Sequence, residues 1–221
     1  MRRIATLFDF NGVLVDDEAV HFAAFRDVVR PLGIDLDEAR YNERYLGFDD
    51  IGAFQAMMVD AGMSPTHEDV MRLVEAKKPV YMSRIAGALV VFDGAAELVR
   101  RRAERGTVGI VSGALRHEIE YALRIMDVEA HVAFIVSAED TTACKPDPDG
   151  YRKGVVALGG EPRGVVALED SLAGIASAKA AGIRCAAVAH SYPADKLAAA
   201  GADVVVARLA ELDDARLDGE G

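Results

Sequence analysis

Six short apolar runs punctuate this 221-residue chain, and each stops at a polar or glycine cluster: IATLFDF (4–10), TVGIVSG (107–113), AFIVSAED (133–140), GVVALED (164–170), CAAVAHS (185–191) and ADVVVAR (202–208). Most are continuously apolar rather than alternating, as parallel strands covered on both faces should be. Between them the pattern turns helical, at 95–105, 115–126, 148–158, 171–181 and 193–200, with Gly106, Gly159, Gly182 and Gly201 following four of these segments. Glycine just past a helix is the expected C-terminal stop. Strand and helix in alternation predict βαβ units, and so an α/β fold with a doubly wound, Rossmann-like parallel sheet.

Residues 17–88 break this rhythm. No run there reads as a strand, and Phe22, Phe25, Val29 and Leu32 fall at helical spacing. The expected organisation is an α/β core built from 1–16 and 89–221, with a helical cap inserted at 17–88 after the first strand. Ligands of open α/β sheets bind at the carboxyl ends of the strands, where such a cap would exclude water and gate access. The start, MRRIATLFDF, imitates a signal peptide only until Asp9 and Asn11 break the apolar run. The final stretch, ELDDARLDGEG, reads as a frayed acidic helix end.

Composition narrows the partners. Half the residues are apolar, 6% are aromatic and none is Trp, which suits an Ala/Val/Leu-rich interior. Lys plus Arg is 25 against 36 Asp plus Glu, a formal net charge of -11. Such a surface repels phosphate backbones, so nucleic acid is not an expected partner. A small phosphorylated substrate stays open, because a metal and a few local cations can reverse the field inside one pocket. Cys144 and Cys185 are the only cysteines, in neither a CxxC pair nor a metal-ligand spacing, so a reduced, cytoplasmic chain is expected. No apolar run approaches the roughly 18 residues that span a bilayer, and the expected assembly is a monomer or weak homodimer.

The polar residues at the strand ends carry the chemistry. The first run ends in Asp9-Phe10-Asn11-Gly12, the second in Ser112-Gly113, and the fourth in Glu169-Asp170-Ser171, while Lys145 lies in CKPDPDGY before helix 148–158. Each alone is an ordinary turn, cap or solvated residue. A parallel sheet brings all four stretches to one crevice, which would then hold a carboxylate, a hydroxyl beside free backbone N–H groups, an ammonium and an acidic pair suited to Mg²⁺. A carboxylate can attack phosphorus and split one transfer into two steps through an aspartyl-phosphate. The transition state spreads charge over phosphate oxygens, so the work is positioning and charge stabilisation.

These stretches resemble the haloacid dehalogenase superfamily of phosphotransferases, and the resemblance covers nearly the whole chain. FDFNGVLVDDE is similar to its first motif, IVSG to its second, KPDPDGY to its third and LEDSLAGIASAKAAG to its fourth. The helical insert resembles the cap of the branch containing phosphoglycolate phosphatase and β-phosphoglucomutase. The resemblance implies Asp9 as nucleophile, with Mg²⁺ held by Asp9, Asp170 and the main-chain carbonyl of Asn11, and Glu169 assisting. It also implies Ser112, Gly113 and Lys145 on the transferring phosphate, His21 and Lys77 as cap residues facing a small phosphorylated metabolite, and phosphatase activity.

Asn11 departs from that pattern, because most phosphatases of the family carry a second Asp there as general acid/base. Asn offers the same main-chain carbonyl but no titratable proton, and losing positioned acid/base help typically costs about 10²–10⁴ in rate. A slow phosphatase, a substitute acid/base among Asp17, Glu18 and His21, and a deliberate trapping mutation all fit. Phe48, Asp49 and Asp50 stand where a phosphosugar mutase of this branch carries a cap arginine, which weakens the mutase reading. A dehalogenase needs no metal pair, a phosphonatase needs a Schiff-base lysine for which Lys77 and Lys78 are weak candidates, and a non-catalytic phosphometabolite sensor has no need of the retained Asp9 and Lys145.

Overall fold

In the computed structural model, which describes residues 4–219, the chain divides into two compact units. One comprises the stretches up to Asp16 and from Val91 onward, and the other is Asp17–Val90. The sequence expectation placed the second boundary at 88/89.

The first unit is α/β. Strands β1 (Ala5–Phe8), β4 (Val108–Val111), β5 (Phe134–Val136), β6 (Val165–Glu169), β7 (Arg184–Val188) and β8 (Val204–Val206) form one sheet in the order β5-β4-β1-β6-β7-β8. Every pairing is parallel. Helices α5 (Ala95–Arg105), α6 (Arg116–Ile125), α7 (Asp149–Ala157), α8 (Leu172–Ala180) and α9 (Ala194–Ala199) fill the connections. Leu7, Val111, Ala167 and Cys185 pack with Tyr151 and Val155 of α7, Ile175 and Ala178 of α8 and Leu197 of α9. Alternate residues, Phe8, Ile110, Val166 and Leu168, are equally buried. Both sets are apolar because both faces are covered. Strand order runs outward from β1 to β5 and then restarts at β6, so β1 lies at a topological switch point, where ligands bind.

The strands are shorter than the apolar runs that announced them, and the surplus polar residues at their C-terminal ends form turns. Two strands had no sequence expectation: β2 (Val15–Asp16) and β3 (Val90–Val91), a two-stranded sheet where the chain leaves and re-enters the α/β unit. Two residues each are too few to show a period.

The acidic helix end expected at the C-terminus is helix α10 (Asp214–Asp218), capped by Asp213, whose side chain accepts from Arg216 N at 2.7 Å. Arg102 of α5, fully buried, donates to Asp218 at 2.7 Å, Asp214 at 3.0 Å and Thr6 Oγ1 at 2.9 Å. Leu217 is buried beside them. Asp214 and Asp218 are therefore paired with a buried guanidinium and not merely solvated. Glu220 and Gly221 of that predicted end, and Met1 to Arg3 of the leader-like start, lie outside the described residues.

The second unit is helical: α1 (Glu18–Val29), α2 (Glu38–Arg44), α3 (Asp50–Asp60) and α4 (His67–Ile85). Asp37, Asp49 and Thr66 cap the last three by accepting backbone N–H groups. Phe25 and Val29 are buried as their spacing predicts, with Phe25 edge-on to Phe54 at 4.9 Å, but Leu32 lies beyond the helix end and is 38% exposed. Among the described residues, no helix is long and apolar enough to cross a membrane.

Candidate active site

Register builds the site. Phe8 at the end of β1 is level with Ile110 of β4 and Leu168 of β6, so the next residue, Asp9, comes level with the strand ends on both sides. Its amide continues the ladder onto Leu168 O at 2.9 Å, fixing the backbone while the side chain leaves the sheet. Ser112 and Asp170 follow one residue beyond their neighbours, and Lys145 arrives from the loop before α7.

Asp9, Glu169 and Asp170 are all buried, and each offers a carboxylate oxygen within 4.8 Å of the others. Lys145 Nζ lies 2.8 Å from Asp9 Oδ1 and 2.7 Å from Glu169 Oε1. Tyr151 OH donates to the same Glu169 oxygen at 2.6 Å, and Ser171 Oγ donates to the other at 3.2 Å. Burial pushes the Asp9 carboxyl up to about 6, with Glu169 adding to the rise and Lys145 opposing it. Burial, then the charges of Asp9 and Glu169, raise Asp170 well above the usual carboxylate range. Burial alone would lower the Lys145 ammonium, but Asp9 and Glu169 outweigh it and raise it. Three carboxylates against one ammonium leave the cluster short of positive charge. Oxygen-only donors in such a cluster fit a hard divalent cation such as Mg²⁺.

Two glycines show how tightly the parts approach. A Cβ on Gly12 would meet Asp170 Oδ2 at 1.9 Å, and Gly12 has φ +74°, a conformation that disfavours any side chain. A Cβ on Gly174 would fall 1.9 Å from Glu169 Oε2, on the helix that Ser171 caps by accepting from Gly174 N at 3.0 Å.

At the end of β4 the expectation of several free N–H groups is corrected. Ser112 N donates to Val136 O at 3.0 Å, Ala114 N to Ser112 Oγ at 3.1 Å, and Leu115 N to Glu118 Oε2 at 3.1 Å. Among the described residues none accepts from the Gly113 amide. Ser112 Oγ also lies 3.5 Å from Asn11 Oδ1, a long contact that links the first two motifs.

His21 and Lys77 belong to the helical unit, in a buried chain of their own. Lys77 is fully buried, with its Nζ 2.7 Å from His21 Nδ1, in contact with Asp50 and 4.2 Å from the Phe25 ring centroid. An ammonium only donates, so His21 Nδ1 accepts and its proton sits on Nε2, which faces Asp17 Oδ2 at 3.2 Å. Tyr81 OH bonds the same Asp17, and Tyr41 OH bonds Glu18. The solvated Lys77–Lys78 pair considered from sequence is not what forms: Lys78 turns out to Glu75 at 2.5 Å.

Three site neighbours escaped the sequence reading. Tyr151 stands in the quoted KPDPDGY stretch without having been singled out. His190 and Ser191 end the fifth apolar run, and they carried the same signal as the other strand ends, polar residues stopping a buried run. His190 Nδ1 lies 2.8 Å from Gly12 O, and Ser191 Oγ donates to Asp170 Oδ2.

The family model for haloacid dehalogenase-like hydrolases matches residues 6–188. The chain therefore belongs to the haloacid dehalogenase-like hydrolases. It is 30% identical to validoxylamine A 7'-phosphate phosphatase from Streptomyces hygroscopicus subsp. limoneus, over 93% of this chain and 94% of that one. It is 31% identical to hexitol phosphatase B from Escherichia coli, over 95% and 94%. Among solved structures, an Asp-to-Asn variant of CbbY from Rhodobacter sphaeroides in complex with xylulose-(1,5)bisphosphate superposes with a TM-score of 0.86, at 28% identity, covering 99% of this chain and all of that one. Magnesium dependence and an aspartyl-phosphate are general to this family, and the Streptomyces and Escherichia coli relatives are named as phosphatases.

Proposed function

We propose that this chain is a Mg²⁺-dependent phosphatase of small phosphorylated sugars or polyols that transfers the phosphoryl group to Asp9. The observation that carries the reading is the buried cluster at the end of the central strand: Asp9 2.8 Å from Lys145, with the Glu169 and Asp170 carboxylates beside it. Asp9 attacks phosphorus, and the bond from phosphorus to the substrate oxygen breaks. Water then cleaves the acyl-phosphate, releasing inorganic phosphate and restoring the carboxylate. Lys145 keeps Asp9 ionised and pairs with the transferring phosphate, while Glu169, with Tyr151 and Ser171 behind it, holds Lys145 in place. Ser112 Oγ and the Gly113 amide bind phosphate oxygens. Asp9, Asp170 and the main-chain carbonyl of Asn11, with Glu169 assisting, would hold Mg²⁺, which would supply charge neutralisation between two anions.

Asn11 supplies no proton to the departing alkoxide and no base to the attacking water. The first step with a good leaving group is unaffected, and hydrolysis of the aspartyl-phosphate is slow. The helical unit serves as the cap. The names of the phosphatase relatives support a small phosphorylated sugar or polyol-like substrate. A phosphate-release screen over sugar and polyol phosphates, with and without Mg²⁺, tests the reading. Release that needs Mg²⁺ is expected, with calcium inhibiting through its looser coordination. Undiminished activity in excess chelator would refute it.

A further inference from the structure

The end of β7 supplies two side chains that reach the loop and the carboxylate of the proposed metal site. Ser191 Oγ donates to Asp170 Oδ2, leaving Oδ1 as the oxygen without that bond. His190 Nδ1 lies 2.8 Å from Gly12 O, and its ring stacks on Phe92 with centroids 3.9 Å apart and planes at 21°. Gly12 N donates to Val15 O at 2.9 Å, so the Gly12 residue is tied on both its amide and its carbonyl side. A trans peptide points the preceding carbonyl, that of Asn11, opposite to the Gly12 N–H. The close approach of Gly12 to Asp170 Oδ2, with Ser191 Oγ 3.0 Å from where a Gly12 Cβ would sit, puts all three parts in one contact.

We infer that His190 and Ser191 are positioning residues for the metal ligands: Ser191 sets which Asp170 oxygen faces the cation, and His190 holds the Asn11–Gly12 turn so that the Asn11 carbonyl does too. Groups bonded to metal ligands commonly change metal affinity 10–100-fold when removed. The inference rests on the Mg²⁺ site proposed above. Ser191 is exposed, so removing its hydroxyl leaves the hydrophobic core intact, and threonine at that position keeps the donor.

Calorimetric titration with Mg²⁺ alone, on the full chain, tests this. The wild-type protein binds, Ser191→Ala binds about 10–100-fold more weakly, and Ser191→Thr binds within a few-fold of wild type. His190→Asn, whose amide can replace the Nδ1 donor, stays near wild type, whereas His190→Phe loses affinity. Melting temperatures in chelator stay level between Ser191→Ala and Ser191→Thr, and kcat at saturating Mg²⁺ returns towards wild type. If Ser191→Ala does not fold, Ser191→Cys, with its weak S–H donor, replaces it in the comparison. Equal affinity in wild type, Ser191→Ala and His190→Phe overturns the inference while leaving the metal site standing. A wild-type protein that binds no Mg²⁺ overturns the functional reading itself.

Discussion

At position 11 a carboxamide stands two residues from Asp9. Under the proposed function Asp9, with its ammonium partner and acidic neighbours in place, attacks phosphorus, and Asn11 withholds only proton transfer. Asn11→Asp should therefore raise turnover of unactivated sugar phosphates by about 10²–10⁴, read from steady-state phosphate release. Unchanged rates would place the proton transfer elsewhere, and His21, whose Nε2 proton faces Asp17, is then the residue to replace. Gly12 makes a second expectation at this scale. Gly12→Ala must adopt φ +74° and drive a methyl into Asp170 Oδ2, so Mg²⁺-dependent activity should collapse, and stability should fall by at least about 1–2 kcal/mol from the left-handed backbone alone. Chemical denaturation with an activity assay checks both. Asp9, Ser112, Glu169 and Asp170 stood out in the sequence because they end apolar runs in chain order, whereas Lys145, in the loop before α7, ends none. His190 and Ser191 were not singled out, since a hydroxyl or imidazole after a strand is commonplace until a second strand end is known to lie beside it, and Tyr151, on α7, reads as an ordinary core aromatic of a helix.

Among the elements, α5 to α9 were legible almost to the residue, because glycine stops and amphipathic faces are local signals. The two-residue strands β2 and β3 were not, and neither was the docking of α10, which depends on an arginine more than a hundred residues earlier. In ELDDARLDGEG the acidic residues look solvated, and only the fold shows that Asp218 faces a buried guanidinium. Arg102→Ala should destabilise the protein by about 3–5 kcal/mol, since it strips one partner from a buried pair. Arg105 still reaches Asp218 at 2.6 Å and draws the expectation towards the lower end of that range. A loss below about 1 kcal/mol in urea titration would mean the network is no stronger than a surface pair.

For the whole molecule, protonation of the metal-free cluster opposes protonation elsewhere. Burial raises the folded-state Asp9 carboxyl to about 6, so the folded protein takes up this proton before the unfolded chain does, and stability rises as pH falls from about 7 towards 4. At Asp140 and Asp203 burial is outweighed, by hydrogen bonds from Ser137 and by Arg116 in one case, and by the Cys185 amide and Lys179 in the other, and both carboxyls are lowered. Their contribution is complete above the unfolded value of about 3.9 and is lost as pH falls through their folded values. In chelator, melting temperature should accordingly peak on the acid side of neutrality, and saturating Mg²⁺ at neutral pH should flatten the rise. A melting temperature that falls steadily from pH 7 to pH 5 in chelator would contradict this. The two-unit division was legible from the break in strand rhythm at residue 17, although the chain returns to the α/β unit two residues later than the pattern indicated.

The central claim, phosphoryl transfer to Asp9 with slow hydrolysis at an Asn11 site, is tested most directly by rapid-quench intact-mass measurement with an activated phosphomonoester. The unaltered protein with Mg²⁺ should gain the mass of one phosphoryl group within a turnover, mapped to Asp9 by peptide analysis, and the adduct should be absent in Asp9→Asn and in chelator. In Asn11→Asp it should decay faster than it forms. Rapid turnover of unactivated sugar phosphates with no adduct at Asp9, and no gain from Asn11→Asp, would contradict the claim.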